Sequence, residues 1–302
     1  MNLVTAPATG TPVQSPASGF LRASLGVTAV LVAASWWFIL AGGGQAGAMA
    51  GGDSFDQALR FLRGFVGLAE DGTIARTRSG EALVPAYLQW DRWVVMAGLA
   101  IETLAMSVLA IALAGVGMLC TVLPAARTAA TGVLLLGSPT WAGRVTYWLV
   151  RAMYILTRGI PELVWAMLLL FVFAPGILPG ALALGIHNLG IVGKLCAEVV
   201  EDLNPRPIQA LRTSGASSAQ VVLYGVLPQV LPQFLTYVVY RWEVIIRTTI
   251  VVGFVSAGGL GREFRLAMSY FHYTDIALIL MVYVLLVIAV DLIGAGLRRL
   301  AV

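Results

Sequence analysis

Charged side chains make up only 11% of the 302 residues, less than half the share of about 25% that ordinary soluble domains carry. Lysine is nearly missing, since Lys194 is the one lysine among 19 basic residues. Cysteine is limited to Cys120 and Cys196, both inside apolar segments and without metal-site spacing. That excludes a disulfide framework and makes buried free thiols the expected state. A phosphate-cradling loop is absent too: Gly193-Lys194 runs on to Leu195 and has no upstream glycine of the kind such a loop needs. ATP, if used, must therefore be hydrolysed by another subunit. The two histidines, His187 and His272, stand alone and read as interfacial or pathway-rim residues, not metal ligands. No apolar segment offers a His/Asp cluster or a nucleophile with its base, which argues against a membrane-embedded enzyme.

What abounds is apolar. Hydrophobic residues reach 59% and the mean hydropathy is +0.88, so the chain is expected to be an all-α integral membrane protein. Its length suffices for a bundle of about six helices at roughly 20 apolar residues each. Residues 1–21, rich in Ala, Pro, Ser and Thr, read as a disordered tail. The run 22–41 is too long for a signal-peptide core and is expected to remain as a first transmembrane helix. Residues 42–92 carry charges of both signs and are expected as an extracytoplasmic loop with an amphipathic helix around Phe55–Leu68. The segment 93–302 holds the other five crossings, at about Trp93–Leu123, Leu163–Phe173 with a basic lead-in from Arg144, Leu178–Val199, Phe234–Val255 and Ile276–Leu297. Gly132–Gly137 is too short to cross and ends in a turn signal at Ser138-Pro139. Trp36, Trp37, Trp90 and Trp93 fall near helix ends, as an aromatic belt would. Gly258-Gly259-Leu260-Gly261 lacks the context of a dinucleotide loop and reads as tight backbone beyond the fifth crossing.

Orientation follows from the arginines of the short connections, which stay in the cytoplasm. Arg127, Arg144, Arg151 and Arg158 lie between Pro124 and Pro161 with no acid among them. Together with Arg22, Arg206, Arg212, Arg298 and Arg299 they fall on one side of a six-helix topology, with both termini inside. The five arginines between Arg60 and Arg92 are accompanied by six acids, and a long translocated loop constrains orientation weakly.

The stretch Ala210–Pro232 lies between membrane-length segments and cannot itself span a bilayer. Ala210, Leu211 and Ala216 with Val221, Val222 and Leu223 form a discontinuous apolar face, broken at Gly215 and Gly225 and expected to stop at Pro228. An amphipathic connector is the plain reading. The stretch also resembles the cytoplasmic signature of ATP-binding-cassette (ABC) importer permeases, with Gln209-Ala210-Leu211 for its E-A-A-type start, then Gly215, then Gly225-Val226-Leu227-Pro228 for its I-x-L-P-type end. It departs by Gln for the acid, Leu for the second Ala and Gly for the Ile.

The resemblance covers roughly Trp93 to Arg299. Arg158-Gly159-Ile160-Pro161-Glu162-Leu163-Val164-Trp165, Tyr240-Arg241-Trp242-Glu243 and Gly253-Phe254-Val255-Ser256-Ala257-Gly258-Gly259-Leu260-Gly261 look like the phosphonate-type (PhnE-like) permease subunits of ABC importers. A departure is Ile246, where a polar residue is expected. The resemblance implies the type I ABC importer (MetI-like) permease fold, in the inner membrane. It implies a second permease copy in a homodimer, two ATPase subunits that carry ATP and Mg, and an extracytoplasmic binding protein that delivers phosphonate, phosphate or phosphite. No cofactor is expected on this chain, and no nucleic acid. It also implies ATPase coupling through a helix within loop 200–232, with Gln209, Ala210, Leu211, Gly215, Ala216, Leu227 and Pro228 as the coupling residues.

Ionisable residues inside the membrane are costly unless paired or hydrated. Glu243 and Arg247 stand four apart and are expected to pair within their helix. Arg241 is read either as bridging Glu102 or Asp291 or as facing an anion path. Lys194 is read as snorkelling, pairing with Glu198, or lining the path. Arg241, Glu243, Arg247, Glu102 and Lys194 are the path candidates. Two other readings stay open: an ABC permease for another small solute such as an amino acid, and an ion-coupled carrier using Glu102, Glu243 and Asp291.

Overall fold

The computed structural model describes residues 17–41, 52–69, 73–74, 82, 84–130, 141–256 and 258–301. Gly132–Gly137 and residues 1–16 of the expected tail lie outside the described residues. The chain divides into two units, Met1–Arg63 and Gly64–Val302.

In the first unit, α1 (Ala17–Ala41) begins ahead of the expected start at residue 22. Phe20, Leu25, Leu31, Trp37 and Phe38 are all exposed on it, a surface that suits lipid. Two of its hydroxyls are satisfied locally, Ser24 donating to the Leu21 carbonyl at 3.0 Å and Thr28 to the Ser24 carbonyl at 2.9 Å. Helix α2 (Gly52–Val66) meets the amphipathic expectation, with Phe55, Leu59, Leu62 and Val66 on one stripe and Asp56, Arg60 and Arg63 off it.

The second unit carries the bundle. A 3₁₀ turn (Ala86–Leu88) leads into α3 (Trp90–Ala125) and the short α4 (Arg127–Ala130). Then come α5 (Trp141–Gly159), α6 (Glu162–Leu169), α7 (Ile177–Glu201) and α8 (Pro205–Thr213). One turn, α9 (Ser218–Gln220), continues through a π-helical turn (Val221–Val226) into α10 (Leu227–Ser256), followed by α11 (Gly259–Ser269) and α12 (Tyr273–Ala301). Among the described residues the regular structure is helical, apart from isolated bridge residues, Leu68 with Ile74 and also Ala82. Five spans are long and apolar enough to cross a membrane, and α5 with α6 makes a sixth if the bent pair is one span.

Two boundaries differ from expectation. The third crossing is not a straight run over Leu163–Phe173: α5 and α6 meet at 92°. The reason is local, because Pro161 cannot donate and pushes Ile160 out of helical geometry. The fifth crossing begins near Ser218, not Phe234, and Pro228 does not stop it. The π turn already departs from the ordinary ladder just before Pro228, so the missing donor falls where the bonding pattern is changing. The Gln229 amide meanwhile donates to the Gly225 carbonyl.

Helix α7 is the axis of the bundle, packed against α3, α5, α6 and α10. Small residues make this possible. A Cβ at Gly190 would stand 2.7 Å from the Tyr154 carbonyl, and one at Gly193 would meet the Tyr154 ring. One apolar cluster joins Met118, Tyr154, Cys196, Ile208, Val226 and Phe234 at the end of the bundle bearing α8. A second, around Met106, Ala110, Leu184, Ile245 and Val252, lies midway. A third, around Met96, Leu260, Ala267 and Ile279, fills the far end. There the Gly258–Gly261 turn is as tight as expected: Gly259 sits at φ +56°, and Leu260 N–H donates to Thr103 Oγ1 at 2.9 Å.

Candidate functional site

Two regions hold the sequence candidates, the helical turn at one end of the bundle and the charged seam midway along it. At the turn, Asn204 caps α8 by accepting from Arg206 N–H at 3.1 Å, with Pro205 at the first helical position. The helix ends where Gly215, at φ +82°, lets Ala216 N–H reach the Leu211 carbonyl at 3.1 Å. Ser217 and Gln220 then form a capping box that restarts the chain as α9. Ile208, Val221 and Val226 are buried and bind the element to the bundle, while Leu211 packs against Gly225. Gln209, Ala210, Gly215 and Pro228 are exposed, and Ala216 and Leu227 half-buried. Beside them Ser218, Ala219, Val222, Leu223 and Leu227 line an open apolar depression of about 470 Å³. It could receive an apolar knob from a docking protein.

The seam contradicts the expected pairing. Glu243 and Arg247 do not pair with each other. Arg247 makes two bonds to Asp291 on α12, at 2.8 and 2.9 Å, and Glu243 pairs with Arg298. The notch at Gly294 explains why, since a Cβ there would overlap the Glu243 carboxylate. Glu243 therefore turns toward α12, where Arg298 waits one turn further on. Arg298 is thus held in the seam, not free in a loop. The Tyr283 hydroxyl closes the seam by donating to the Arg247 carbonyl at 2.9 Å.

Arg241 is tied to neither Glu102 nor Asp291. Its Nε and Nη2 donate to Asn188 Oδ1 on α7, at 3.0 and 2.6 Å. Glu102 points away from this site, exposed on α3, where Ser107 meets Trp242 at 3.1 Å and Thr103 meets α11. Lys194 pairs with Glu198 at 3.2 Å, one of its three expected fates. Ile246 is fully buried, so the departure at this position faces protein and not a path.

His187 braces the corner between α5 and α6. Its Nδ1 lies 2.9 Å from the Ile160 carbonyl and its Nε2 3.5 Å from Glu162. Trp165 Nε1 donates to the Thr157 carbonyl at 3.1 Å across the same corner. Asn188 is not among the residues singled out from the sequence, whereas the corner falls on the Gly159-Ile160-Pro161 break signal. His272 lies 3.6 Å from Asp275, which Arg92 also holds at 3.1 Å.

An all-helical bundle with this broken crossing and this end turn defines the MetI-like permease fold of ABC importers. The chain belongs to the family described as binding-protein-dependent transport system inner membrane component, which matches residues 128–301. It is 36% identical over 241 residues to the phosphite transport system permease protein PtxC of Stutzerimonas stutzeri, covering 78% of this chain and 82% of the relative. It is 31% identical over 202 residues to the phosphate-import permease protein PhnE of Mycolicibacterium smegmatis, covering 67% of this chain and 36% of that longer protein. Among solved structures, an inward-facing MetNI methionine ABC transporter superposes with a TM-score of 0.60 at 20% identity, covering 71% of this chain and 99% of that one. The protein is thus a multi-pass membrane permease subunit of an ABC importer, a family that works with ATPase and substrate-binding partners.

Proposed function

We propose that this permease imports a phosphorus oxyanion, namely phosphite, phosphonate or phosphate. It does so as a homodimer with both termini in the cytoplasm. The observation that carries the substrate class is the likeness to a phosphite permease over most of both chains. Arg241 agrees with it chemically. Its guanidinium is held midway along the bundle by a neutral amide, and among the described residues no carboxylate is in ion-pair range of it. Such a charge attracts a dianion.

ATP and Mg are bound by two partner ATPases. These seat against Gln209, Ala210, Gly215 and the apolar depression beside Leu227 and Pro228, so that closing of the ATPase pair moves α8 and, through buried Ile208, α7 and α10. A binding protein delivers the anion to the other face. The ion-coupled alternative is disfavoured because Glu243 and Asp291 are each neutralised by an arginine.

The test is ATP hydrolysis by the purified complex in the presence of its binding protein. Loading that protein with phosphite, phosphate or methylphosphonate should stimulate turnover and uptake. Stimulation by a methionine-loaded binding protein, with none by the phosphorus oxyanions, would refute the proposal.

A further inference from the structure

Resting on the reading that Arg241 faces the anion path, we infer that Asn188 is a positioning residue that fixes the Arg241 guanidinium without neutralising it. Asn188 is buried, 2% exposed, on the axial helix α7. Its Nδ2 donates to the Leu184 carbonyl at 2.8 Å, which settles which end of the amide faces Arg241. The Oδ1 then takes both Nε and Nη2, the guanidinium edge that a carboxylate commonly grips with two oxygens.

The contrast with the neighbouring cations is chemical. Arg247 faces Asp291, Arg298 faces Glu243, Lys194 faces Glu198 and Arg151 faces Glu201. Each of those positive charges is cancelled on the spot. At Arg241 the partner has the size and shape of an aspartate but no charge. The side chain is therefore as firmly oriented as a salt-bridged one while its full charge remains available to a ligand. A rigid arginine with an uncancelled charge distinguishes anions from zwitterions. Position 188 is thus where this permease sets its preference for charge.

The experiment reconstitutes the permease with its ATPases in proteoliposomes and supplies the phosphite-loaded binding protein. It reads phosphite imported per ATP hydrolysed, and the thermal stability of the complex. Asn188→Asp keeps both bonds to Arg241 but adds the cancelling charge. Asn188→Asp also gives up the Leu184 bond, so the reading is taken on the complex that assembles: import per ATP should fall about tenfold and well below Asn188→Thr, whereas a purely structural role would lower import and stability together in both variants. Asn188→Thr offers a neutral acceptor and should import near the wild-type ratio. A wild-type ratio in Asn188→Asp, or a fall in Asn188→Thr as deep as in Asn188→Asp, overturns the inference. If Asn188→Asp fails to assemble, Asn188→Leu decides: without an acceptor for Arg241 its import per ATP should fall in the assembled complex, and a wild-type ratio there overturns the inference. Arg241→Gln separates the two claims. Wild-type import in Arg241→Gln removes the anion-path reading itself, whereas impaired import there beside normal import in Asn188→Asp removes only the role of Asn188.

Discussion

Glu243 and Arg247 have the spacing and order of an intrahelical pair, yet each reaches to α12, and the choice is decided by Gly294 and Asp291 on the other helix. Sequence separation shows which residues share a turn but not which notch a neighbouring helix will present, so these partners were invisible before the fold. The consequence is testable by exchange of charges. Arg247→Gln should strand Asp291 and lower the stability of the complex, and Asp291→Asn should restore part of it, giving a coupling of about 1 kcal/mol or more in a double-mutant cycle. Glu243→Gln should not rescue Arg247→Gln. Rescue by Glu243→Gln instead of Asp291→Asn would show that the pairing runs within α10. A second expectation concerns close approach of backbones. Gly190→Ala must displace Thr157 or the Tyr154 carbonyl of α5, which should cost about 1–3 kcal/mol, read as a lower melting temperature of the purified complex.

The elements that sequence read well are those whose signal is composition or a local turn. Long apolar runs gave the spans, Phe55–Leu68 gave α2, and Gly258–Gly261 gave the tight entry to α11. The breaks were harder, because Pro161 bends its crossing by 92° whereas Pro228 is absorbed in a continuous helix. One residue type thus had opposite outcomes, set by what surrounds it. At the first break Trp165→Phe removes the bond to the Thr157 carbonyl and should destabilise the corner by about 1 kcal/mol. At the turn after α8, a Cβ on Gly215 would meet nothing within 4 Å, and the constraint is its φ of +82°. Gly215→Ala should therefore strain the turn by about 1 kcal/mol while the ATPase still copurifies. Gly215→Glu adds a charge on the exposed surface proposed for docking and should lose the ATPase. Full copurification and uptake in Gly215→Glu would remove this turn from the coupling interface.

At the scale of the molecule, the two ends of the bundle differ in charge chemistry, and the proposed orientation rests on that difference. The end bearing α8 gathers Arg151, which holds both the Ala125 carbonyl and Glu201, together with Arg206 and Arg212, while Arg299 lies in the last turn of α12. Arginines in and beside short connections favour the cytoplasmic side, which is the side proposed for this end. At the far end Arg92 and His272 share Asp275, while Arg262 and Arg265 stand on α11 beside Glu263. The topology proposed above then predicts a labelling pattern. In a background lacking Cys120 and Cys196, Ser214→Cys and Arg299→Cys should react with an impermeant maleimide only after the membrane is opened, and His272→Cys, on an exposed turn, should react in intact cells. The three sites test different steps of the argument. Ser214 reports the side on which an ATPase could dock, Arg299 fixes the end of α12, and His272 fixes its beginning, so α12 is shown to cross only if the last two disagree. Labelling of Ser214→Cys in intact cells would place the docking turn outside, beyond the reach of any cytoplasmic ATPase, and would overturn both the orientation and the coupling role of the turn.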